Sequence, residues 1–377
     1  MKKNLFILAA AALALASCSS DETVESAALS KSNEISFRPL VNSSTRAADI
    51  TLSNLASFVV NAKIAGGETS YFDNVTFNKV GETATYTSTT KYYWPATGNL
   101  DFYAYSPAGN SQVTYTNYKT FEVQPSTTVA SQVDLVYAAT KSKNKASDAS
   151  GVVLNFRHTG SKIVCKVKNT STALKFSVEG WKVGFLDNKG KFTFADPHTD
   201  GNNTGSGTTL TAGQWTENTT QDVNNAYSST FDAVDIAAGA SETALTGEMI
   251  LVPQIINKAT AYAYTGATAA GDKLNGTFIA VKLKILNATN SAVIASDGDN
   301  HMWAIWPIGG TTNDFAWAPG KKYTYTIDLA GGGFYETNQA ETTVDEDLDP
   351  ILGGAEIKFV TVTVDNWTDG GTTNVAN

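Results

Sequence analysis

Three histidines and a few acidic clusters are the side chains of this 377-residue chain best suited to form a catalytic or metal site. His158, His198 and His301 lie far apart, and none has a cysteine, histidine or carboxylate at the spacing of a metal site or catalytic triad. Residues 297–300 (Asp-Gly-Asp-Asn) resemble the start of a calcium loop, but Ile308 occupies the twelfth position, where such a loop has glutamate. We interpret this stretch as a tight turn. The sequence therefore predicts a protein that is not an enzyme and needs neither a metal nor a cofactor.

The composition favours a folded, all-β protein. Hydrophobic residues make up 42% of the chain and charged residues only 17%, so there is enough apolar material for a core and too little charge for a disordered chain. There are 17 Phe, 15 Tyr and 7 Trp but only 3 Met, and aromatic side chains favour strands. Because the net charge is -9, we expect no nucleic-acid partner.

A cysteine near the N-terminus indicates a lipid attachment site. Lys2 and Lys3 precede an apolar run at residues 5–16, which is too short to span a bilayer and fits a secretory signal. The next residues, Leu15-Ala16-Ser17-Cys18, look like a bacterial lipobox, in which a peptidase cuts before the cysteine and the sulfur receives lipid. We predict a signal peptide at residues 1–17 and contact with the membrane only through the lipid on Cys18. An ordinary signal peptide with a chance cysteine is the alternative.

Short alternating segments predict strands from residue 34 onward. Ile35 and Phe37 share one face of the first segment, and Pro39 favours an edge position because it cannot donate a ladder hydrogen bond. Further strand patterns follow about every ten residues up to Ala138, which is typical of a β-sandwich. A last alternating pattern lies near residues 357–364.

Polar stretches divide these strands into groups. Residues 141–150 are polar and without periodicity, so we place a domain boundary there and assign residues 47–146 to a first sandwich and residues 151–377 to a second. Residues 196–230 are rich in Gly, Asn and Thr and are predicted to form long loops.

Arginine is rare, and one arginine lies where a protease would reach it. Arg38 and Arg157 fall in strand patterns, whereas Arg46 lies in the polar connector 42–49, where nicking is expected. Cleavage between Arg46 and Ala47 would free the strand at residues 34–41 from the rest of the chain. Its loss would leave unpaired main-chain groups, which are a template for a strand of another chain. The apolar side chains given up would be Ile35, Phe37, Leu40 and Val41.

A group of aromatic residues in the first half could form a sugar-binding platform. The residues are Tyr92, Tyr93, Trp94, Phe102, Tyr103 and Tyr105. Packing in the core and on strand faces explains this density more simply.

The chain resembles the fimbrillins, the pilus subunits of Bacteroidales, over nearly its whole length. The similar strings in the first half are the lipobox at Cys18, Glu34-Ile35-Ser36-Phe37, Thr45-Arg46-Ala47, Tyr93-Trp94-Pro95 and Leu100-Asp101-Phe102-Tyr103-Ala104-Tyr105-Ser106-Pro107. In the second half they are Phe156-Arg157-His158, Ser161-Lys162-Ile163, Ile250-Leu251-Val252-Pro253-Gln254, Trp317-Ala318-Pro319-Gly320-Lys321-Lys322-Tyr323-Thr324-Tyr325 and Val364-Asp365-Asn366-Trp367. Each string is weak alone, but their order and joint presence are fairly specific.

This resemblance implies a fold and an assembly route. It implies two transthyretin-like β-sandwich domains in tandem, export as an outer-membrane lipoprotein, cleavage by a trypsin-like or arginine-specific protease, and strand-exchange assembly into extracellular fimbriae. On this basis Cys18 is the lipidated residue and Arg46-Ala47 the scissile bond. Residues 18–46 would be a lipidated propeptide that contains the first strand and is removed on maturation.

The strand that such a subunit donates is not decided by the sequence. The tail at residues 368–377 is mostly Thr, Gly and Asn and offers little to fill apolar pockets. Apolar side chains lie just before it, at Ile357, Phe359, Val360, Val362 and Val364. This segment either donates a strand or is the last strand of the second domain, and we favour the last-strand interpretation, which leaves both a shaft and a tip position open.

Two functions follow as hypotheses. The leading one is a structural or adhesive fimbrial subunit that joins other subunits, identical or related, by strand exchange and contacts a host or bacterial surface. The alternative is a monomeric surface lipoprotein that binds glycans through exposed aromatic residues.

Overall fold

The computed structural model describes residues 33–41, 50, 53–83, 85–194, 213–217, 222–256, 277–294, 301–308, 315–332, 334–336, 348–350, 361–366 and 372–374. Their regular elements are strands, with two short 3-10 helices at Val129–Ser131 and Leu329–Gly331. The predicted all-β class is confirmed. Within these ranges, no helix has the length and apolar character needed to cross a membrane.

The strands are numbered along the chain. The first thirteen are β1 (Phe37–Val41), β2 (Ser57–Ile64), β3 (Ser70–Lys79), β4 (Tyr86–Thr87), β5 (Leu100–Ser106), β6 (Val113–Asn117), β7 (Thr120–Val123), β8 (Val136–Lys143), β9 (Val152–His158), β10 (Ser161–Lys168), β11 (Lys175–Leu186), β12 (Gly190–Thr193) and β13 (Gln214–Glu217). The remainder are β14 (Asp222–Ile236), β15 (Thr243–Ala244), β16 (Met249–Leu251), β17 (Ile255–Ile256), β18 (Phe278–Leu286), β19 (Ala292–Ile294), β20 (Met302–Pro307), β21 (Phe315–Ala316), β22 (Lys321–Asp328), β23 (Phe334–Glu336), β24 (Leu348–Pro350), β25 (Thr361–Asn366) and β26 (Thr372–Asn374).

These strands form four main sheets. Sheet 1 has the order β1-β9-β8-β5-β2-β3-β4, and sheet 2 has the order β13-β12-β7-β6. Sheet 3 runs β15-β10-β22-β25-β26 with β16 beside β10, and sheet 4 runs β14-β11-β18-β20-β23-β24 with β19 beside β18. Strands β17 and β21 form a separate pair.

Sheet 1 has a core on each face because its strands alternate buried side chains on both sides. One face holds Phe58, Phe102 and Phe156 among other buried apolar residues. The sheet curls around this core, since the ring of Phe37 on β1 lies 4.8 Å from that of Phe77 on β3, although four strands separate β1 from β3 in the sheet order. The opposite face packs its tyrosines against sheet 2.

The second large core lies between sheets 3 and 4. Its fully buried members include Ile163, Cys165, Trp181 and Tyr325, which come from β10, β11 and β22. Burial raises the pKa of the Cys165 thiol, so this side chain is a small apolar core residue and not a nucleophile.

Strands from the two halves of the chain pair with each other in the same sheets. Strand β9, which follows the predicted boundary at residues 141–150, pairs with β8 and β1 in sheet 1. Only Thr159 and Gly160 separate β9, in sheet 1, from β10, in sheet 3. The part of the chain that forms sheet 1 therefore extends to His158, beyond the predicted boundary. Strand β12 from the second half pairs with β7 from the first and thereby builds sheet 2. The number of domains stays a prediction.

The prediction of long loops at residues 196–230 is wrong where the structure describes this stretch. Residues 214–217 form β13, and residues 222–230 form most of β14. Strand β14 lies at an edge of sheet 4, where a polar strand faces water on one side. Its Thr and Ser residues therefore lack the apolar alternation by which a strand is recognised.

Candidate functional site

The segment at residues 33–41 lies in extended conformation across one end of the first core. Its first part runs antiparallel to residues 92–94, where the N–H of Ile35 donates to the carbonyl of Tyr92 (2.8 Å) and the N–H of Trp94 donates to that of Asn33 (2.9 Å). Its second part, β1, runs parallel to β9, with Phe37 opposite Val152. The segment therefore bridges two parts of the fold that are distant in sequence.

Two side chains of this segment complete the first core. Ile35 is 3% exposed and Phe37 4% exposed. The Phe37 ring packs edge-on against three others, at centroid distances of 4.8 Å to Phe77, 5.3 Å to Phe102 and 6.1 Å to Phe58. Of the other two predicted strand residues, Leu40 is exposed and Val41 half-buried. Pro39 is also buried, and Val41 packs against the same core, so the strand fills the core along its whole inner face, with Ile35 and Phe37 as its buried apolar members.

A glycine makes room for the strand at the start of β9. Gly151 has φ of +102°, and a Cβ on it would lie 3.1 Å from both the Cγ of Arg38 and the Oγ of Ser36. The next residue, Val152, donates its N–H to the carbonyl of Ser36 (2.8 Å). A side chain at position 151 would push β1 away from its ladder.

One ion pair marks the outer end of the segment. The carboxylate of Glu34 lies 3.0 Å from Nζ of Lys91, and this hydrogen bond raises the pKa of Lys91. Because the Lys91 side chain is 63% exposed, the pair contributes little stability.

A buried carboxylate holds the chain where it resumes after the connector. Asp134 accepts a hydrogen bond from the N–H of Ile50 (2.8 Å) and lies 2.8 Å from Nδ1 of His158. The connector itself, residues 42–49 with the predicted bond Arg46-Ala47, lies outside the described residues, as does Cys18. The structure thus fixes both flanks of the predicted cleavage site.

The predicted donor or last-strand residues are only partly described. Val362 and Val364 lie on β25, which pairs antiparallel with β22 and whose other neighbour is β26 from the tail. Val362 is buried in the second core. Ile357, Phe359 and Val360 lie outside the described residues.

The histidines that the sequence offers for a catalytic or metal site each contact a single carboxylate where the structure describes them. His158 pairs with Asp134, and His301 lies 3.1 Å from Glu179, while His198 is not described. The part of the chain that the structure covers contains no group of three His, Cys, Asp or Glu side chains that could hold a metal ion.

Most of the predicted sugar platform is buried. Trp94, Phe102, Tyr103 and Tyr105 are at most 7% exposed, Tyr92 is half-buried, and only Tyr93 of the six is exposed. Their common role is packing on the two faces of sheet 1.

Two solved structures of Bacteroides proteins match this chain over most of its length at low identity. One is a fimbrial protein from Bacteroides vulgatus, with 16% identity and a TM-score of 0.49 over 89% of this chain and 100% of that one. A protein with a proposed role in cell adhesion from Bacteroides uniformis has 16% identity and a TM-score of 0.44, again over 89% and 100%. None of the curated proteins matches the sequence.

The sequence itself matches one protein family. The match extends over residues 45–367, which is most of the chain. The chain belongs to the fimbrillin-like family.

Proposed function

We propose that this protein is a structural or adhesive subunit of cell-surface fimbriae. It is exported as a lipoprotein through Cys18, cut between Arg46 and Ala47, and assembled by donor-strand exchange as a shaft or tip subunit. Membership of the fimbrillin-like family supports the fimbrial or adhesive role and the location at the cell surface.

The observation that most favours strand exchange is the way residues 33–41 complete the first core. They form an edge segment that contributes two buried side chains, Ile35 and Phe37, and hydrogen bonds along its main chain. Burying two such side chains contributes about 3–6 kcal/mol, which is a large fraction of the net stability of a domain, about 5–15 kcal/mol. A subunit that lost this segment would therefore gain much from a replacement strand.

The connector explains why cleavage would start the exchange. While residues 42–49 are intact, β1 is tethered and its effective concentration at its own groove is in the millimolar range. After the cut, Ile50 remains held by Asp134, whereas β1 is held only by its own contacts. A competing strand could then take its place.

The glycan-binding alternative lacks support because its aromatic side chains are mostly buried. Of the six platform residues, only Tyr93 offers an open ring, and one ring is not a platform.

The test uses residues 19–377 treated with an arginine-specific protease and run unboiled on a denaturing gel. We expect a product that begins at Ala47 by mass spectrometry and a ladder of multiples. Arg46→Ala should abolish both, while Arg157→Ala, on β9, serves as the matched control and should leave both intact. An uncut chain would contradict proteolytic activation, and a single trimmed band would contradict self-assembly.

A further inference from the structure

A serine, a histidine and a glutamate meet on the face of sheet 4 that points away from the second core, which we call its outer face. Nε2 of His301 lies 3.0 Å from the hydroxyl oxygen of Ser177, and Nδ1 of the same ring lies 3.1 Å from the carboxylate of Glu179. These contacts join a hydroxyl to a base, and the base to a carboxylate that orients it. This is the arrangement that activates a serine as a nucleophile.

Ser177 reaches the outer face because side chains alternate along a strand. It lies on β11 between Phe176 and Val178, which are both buried in the second core, so its own side chain points away from that core. His301 directly precedes β20, and β18 lies between β11 and β20 in sheet 4. The imidazole therefore reaches across β18 to a residue 124 positions away in the sequence, and no local spacing indicates this contact.

Glu179 lies two residues after Ser177, at a β-bulge. The ladder between β11 and β18 shifts its register between Val178 and Gly180, which makes Glu179 the extra residue. Bulges turn a side chain away from its regular direction and occur often next to active sites. Nζ of Lys282 lies 2.6 Å from Oε1 of Glu179, so the carboxylate is held from one side while Oε2 faces the imidazole.

The contacts also fix the direction in which a proton can move. An ionised carboxylate only accepts hydrogen bonds, so Nδ1 of His301 carries a hydrogen and donates it to Glu179. In the neutral ring Nε2 is then the acceptor, and the hydroxyl of Ser177 donates to it. Nε2 is therefore placed to take the proton of Ser177 when the hydroxyl oxygen attacks a substrate.

Exposure and neighbouring side chains indicate which substrate would fit. Ser177 is 5% exposed and His301 half-buried, so only a small molecule can reach the hydroxyl. Trp303, two residues after His301 on the same face, offers a half-buried apolar surface to a short acyl chain. Lys284 is opposite Ser177 in the ladder and thus on the same face, where a cation favours the negative charge that develops on a carbonyl oxygen under attack.

We propose that Ser177 is the nucleophile of a site that hydrolyses small esters, with His301 as general base and Glu179 as the residue that positions the imidazole. Oγ of Ser177 bonds to the ester carbonyl carbon while its proton passes to Nε2 of His301. The bond from that carbon to the alcohol oxygen breaks, the alcohol leaves with the proton, and the acyl group stays on Ser177. Water then attacks the acyl carbon, its proton passes through His301 to Oγ, and the acid is released. This activity does not depend on the proposed fimbrial role.

The experiment uses the purified chain, residues 19–377, with p-nitrophenyl acetate as the ester and a fluorophosphonate as a probe that labels activated serines. We expect more than one p-nitrophenol to be released per chain and the probe to be found on Ser177 by mass spectrometry. Ser177→Ala should abolish the label and lower the rate at least about 100-fold. It removes one oxygen atom and should leave the circular dichroism spectrum unchanged.

Two further variants separate activation from burial and from folding. Ser106→Ala is the matched control, because Ser106 is also buried on a strand but donates its hydroxyl to the carbonyl of Ser57 (2.7 Å), and it should change neither label nor rate. Glu179→Gln should lower the maximal rate at least about tenfold and leave the half-saturating ester concentration unchanged, because Glu179 touches the imidazole and not the ester.

Three results would overturn this inference. Label and turnover that persist in Ser177→Ala would mean that another group is the nucleophile. A folded chain that takes no label, or that releases no more than one p-nitrophenol, would show that Ser177 is not activated or cannot pass its acyl group to water. Equal labelling of the chain unfolded in urea would show that the contacts with His301 and Glu179 do not activate the serine.

Discussion

The buried carboxylate of Asp134 lies 2.8 Å from Nδ1 of His158. His158 is the last residue of β9, the strand that pairs with β1. The same carboxylate accepts the N–H of Ile50 at 2.8 Å. Asp134 thus joins the end of the connector to the end of β9, one residue before the chain begins its crossing to sheet 3 through Thr159 and Gly160. The side chain holds together three segments that are distant in sequence.

Asp134→Ala should destabilise the protein strongly. Losing two hydrogen bonds to a buried carboxylate predicts a decrease of about 3–6 kcal/mol in the free energy of unfolding, measured with urea. Asp101→Ala is the control, because Asp101 accepts one main-chain hydrogen bond, from Ser142 at 2.8 Å, at a half-buried position and should cost about 1 kcal/mol. Equal losses in the two variants would show that burial of the Asp134 pair is unimportant.

Phe37→Ala tests whether β1 contributes to the first core. Removing a ring that contacts Phe58, Phe77 and Phe102 should cost about 3–5 kcal/mol in urea unfolding. Leu40→Ala, on the same strand but 42% exposed, should cost less than about 0.5 kcal/mol. A small loss for Phe37→Ala would mean that the core closes over the space without this strand.

Gly151→Ala tests whether the absence of a side chain at position 151 is needed for β1 to pair with β9. Both this variant and Gly98→Ala place a side chain at positive φ, +102° and +89°, and each should lose about 1–3 kcal/mol through backbone strain. Only at Gly151 would the new Cβ meet other atoms, those of Arg38 and Ser36, while nothing lies within 4 Å at Gly98. Amide hydrogen exchange of β1 should therefore quicken in Gly151→Ala alone, and equal exchange in both variants would contradict this role.

The sequence predicts the strands with short-range alternation and misses the pairings that depend on distant segments. Ile163, Cys165 and Val167 occupy alternate positions of β10, as one buried strand face requires, and all three are 0% exposed. The pairing of β7 with β12 joins residues about 70 positions apart, and no local pattern records it. For the groove, alternation places Ile35 and Phe37 on one face and Leu40 on the other, and Leu40 is exposed as this pattern requires.

Two of the strings that resemble the fimbrillins, at residues 317–325 and 250–254, contain residues that form specific hydrogen bonds in the fold. Nε1 of Trp317 donates to the hydroxyl of Tyr325 (2.8 Å), and the N–H of Ala318 donates to that of Tyr323 (2.7 Å). Gln254 accepts the N–H of Asp187 and donates back to its carbonyl. These residues are required by hydrogen bonds to distant or neighbouring groups. A sequence pattern records which residues are present, and the structure shows which hydrogen bonds require them.

Buried tyrosines predict a loss of stability at alkaline pH. Burial raises the pKa of Tyr105 and Tyr227 above the ordinary 10.0. In the unfolded chain these groups ionise near pH 10 while the folded state keeps their protons, so the unfolding free energy should fall as the pH rises above 10. Tyr105→Phe should reduce this fall in urea midpoints measured between pH 9 and 11. Tyr93→Phe, at an exposed position, is the control, and an equal change in both variants would contradict the assignment to burial.

Sheet 2 should make the two halves of the chain unfold together. The ring of Phe192 on β12 is fully buried and lies 4.9 Å from that of Tyr137 and 5.4 Å from that of Phe121, both in the first half. We therefore expect one transition for the whole chain by calorimetry. Phe192→Ala should cost about 3–5 kcal/mol and separate the unfolding into two steps, because it empties the core that the halves share. Phe176→Ala removes the same ring from the second core alone and should lower the melting temperature while keeping one transition. Two transitions in the unmodified chain would show that sheet 2 does not couple the two halves.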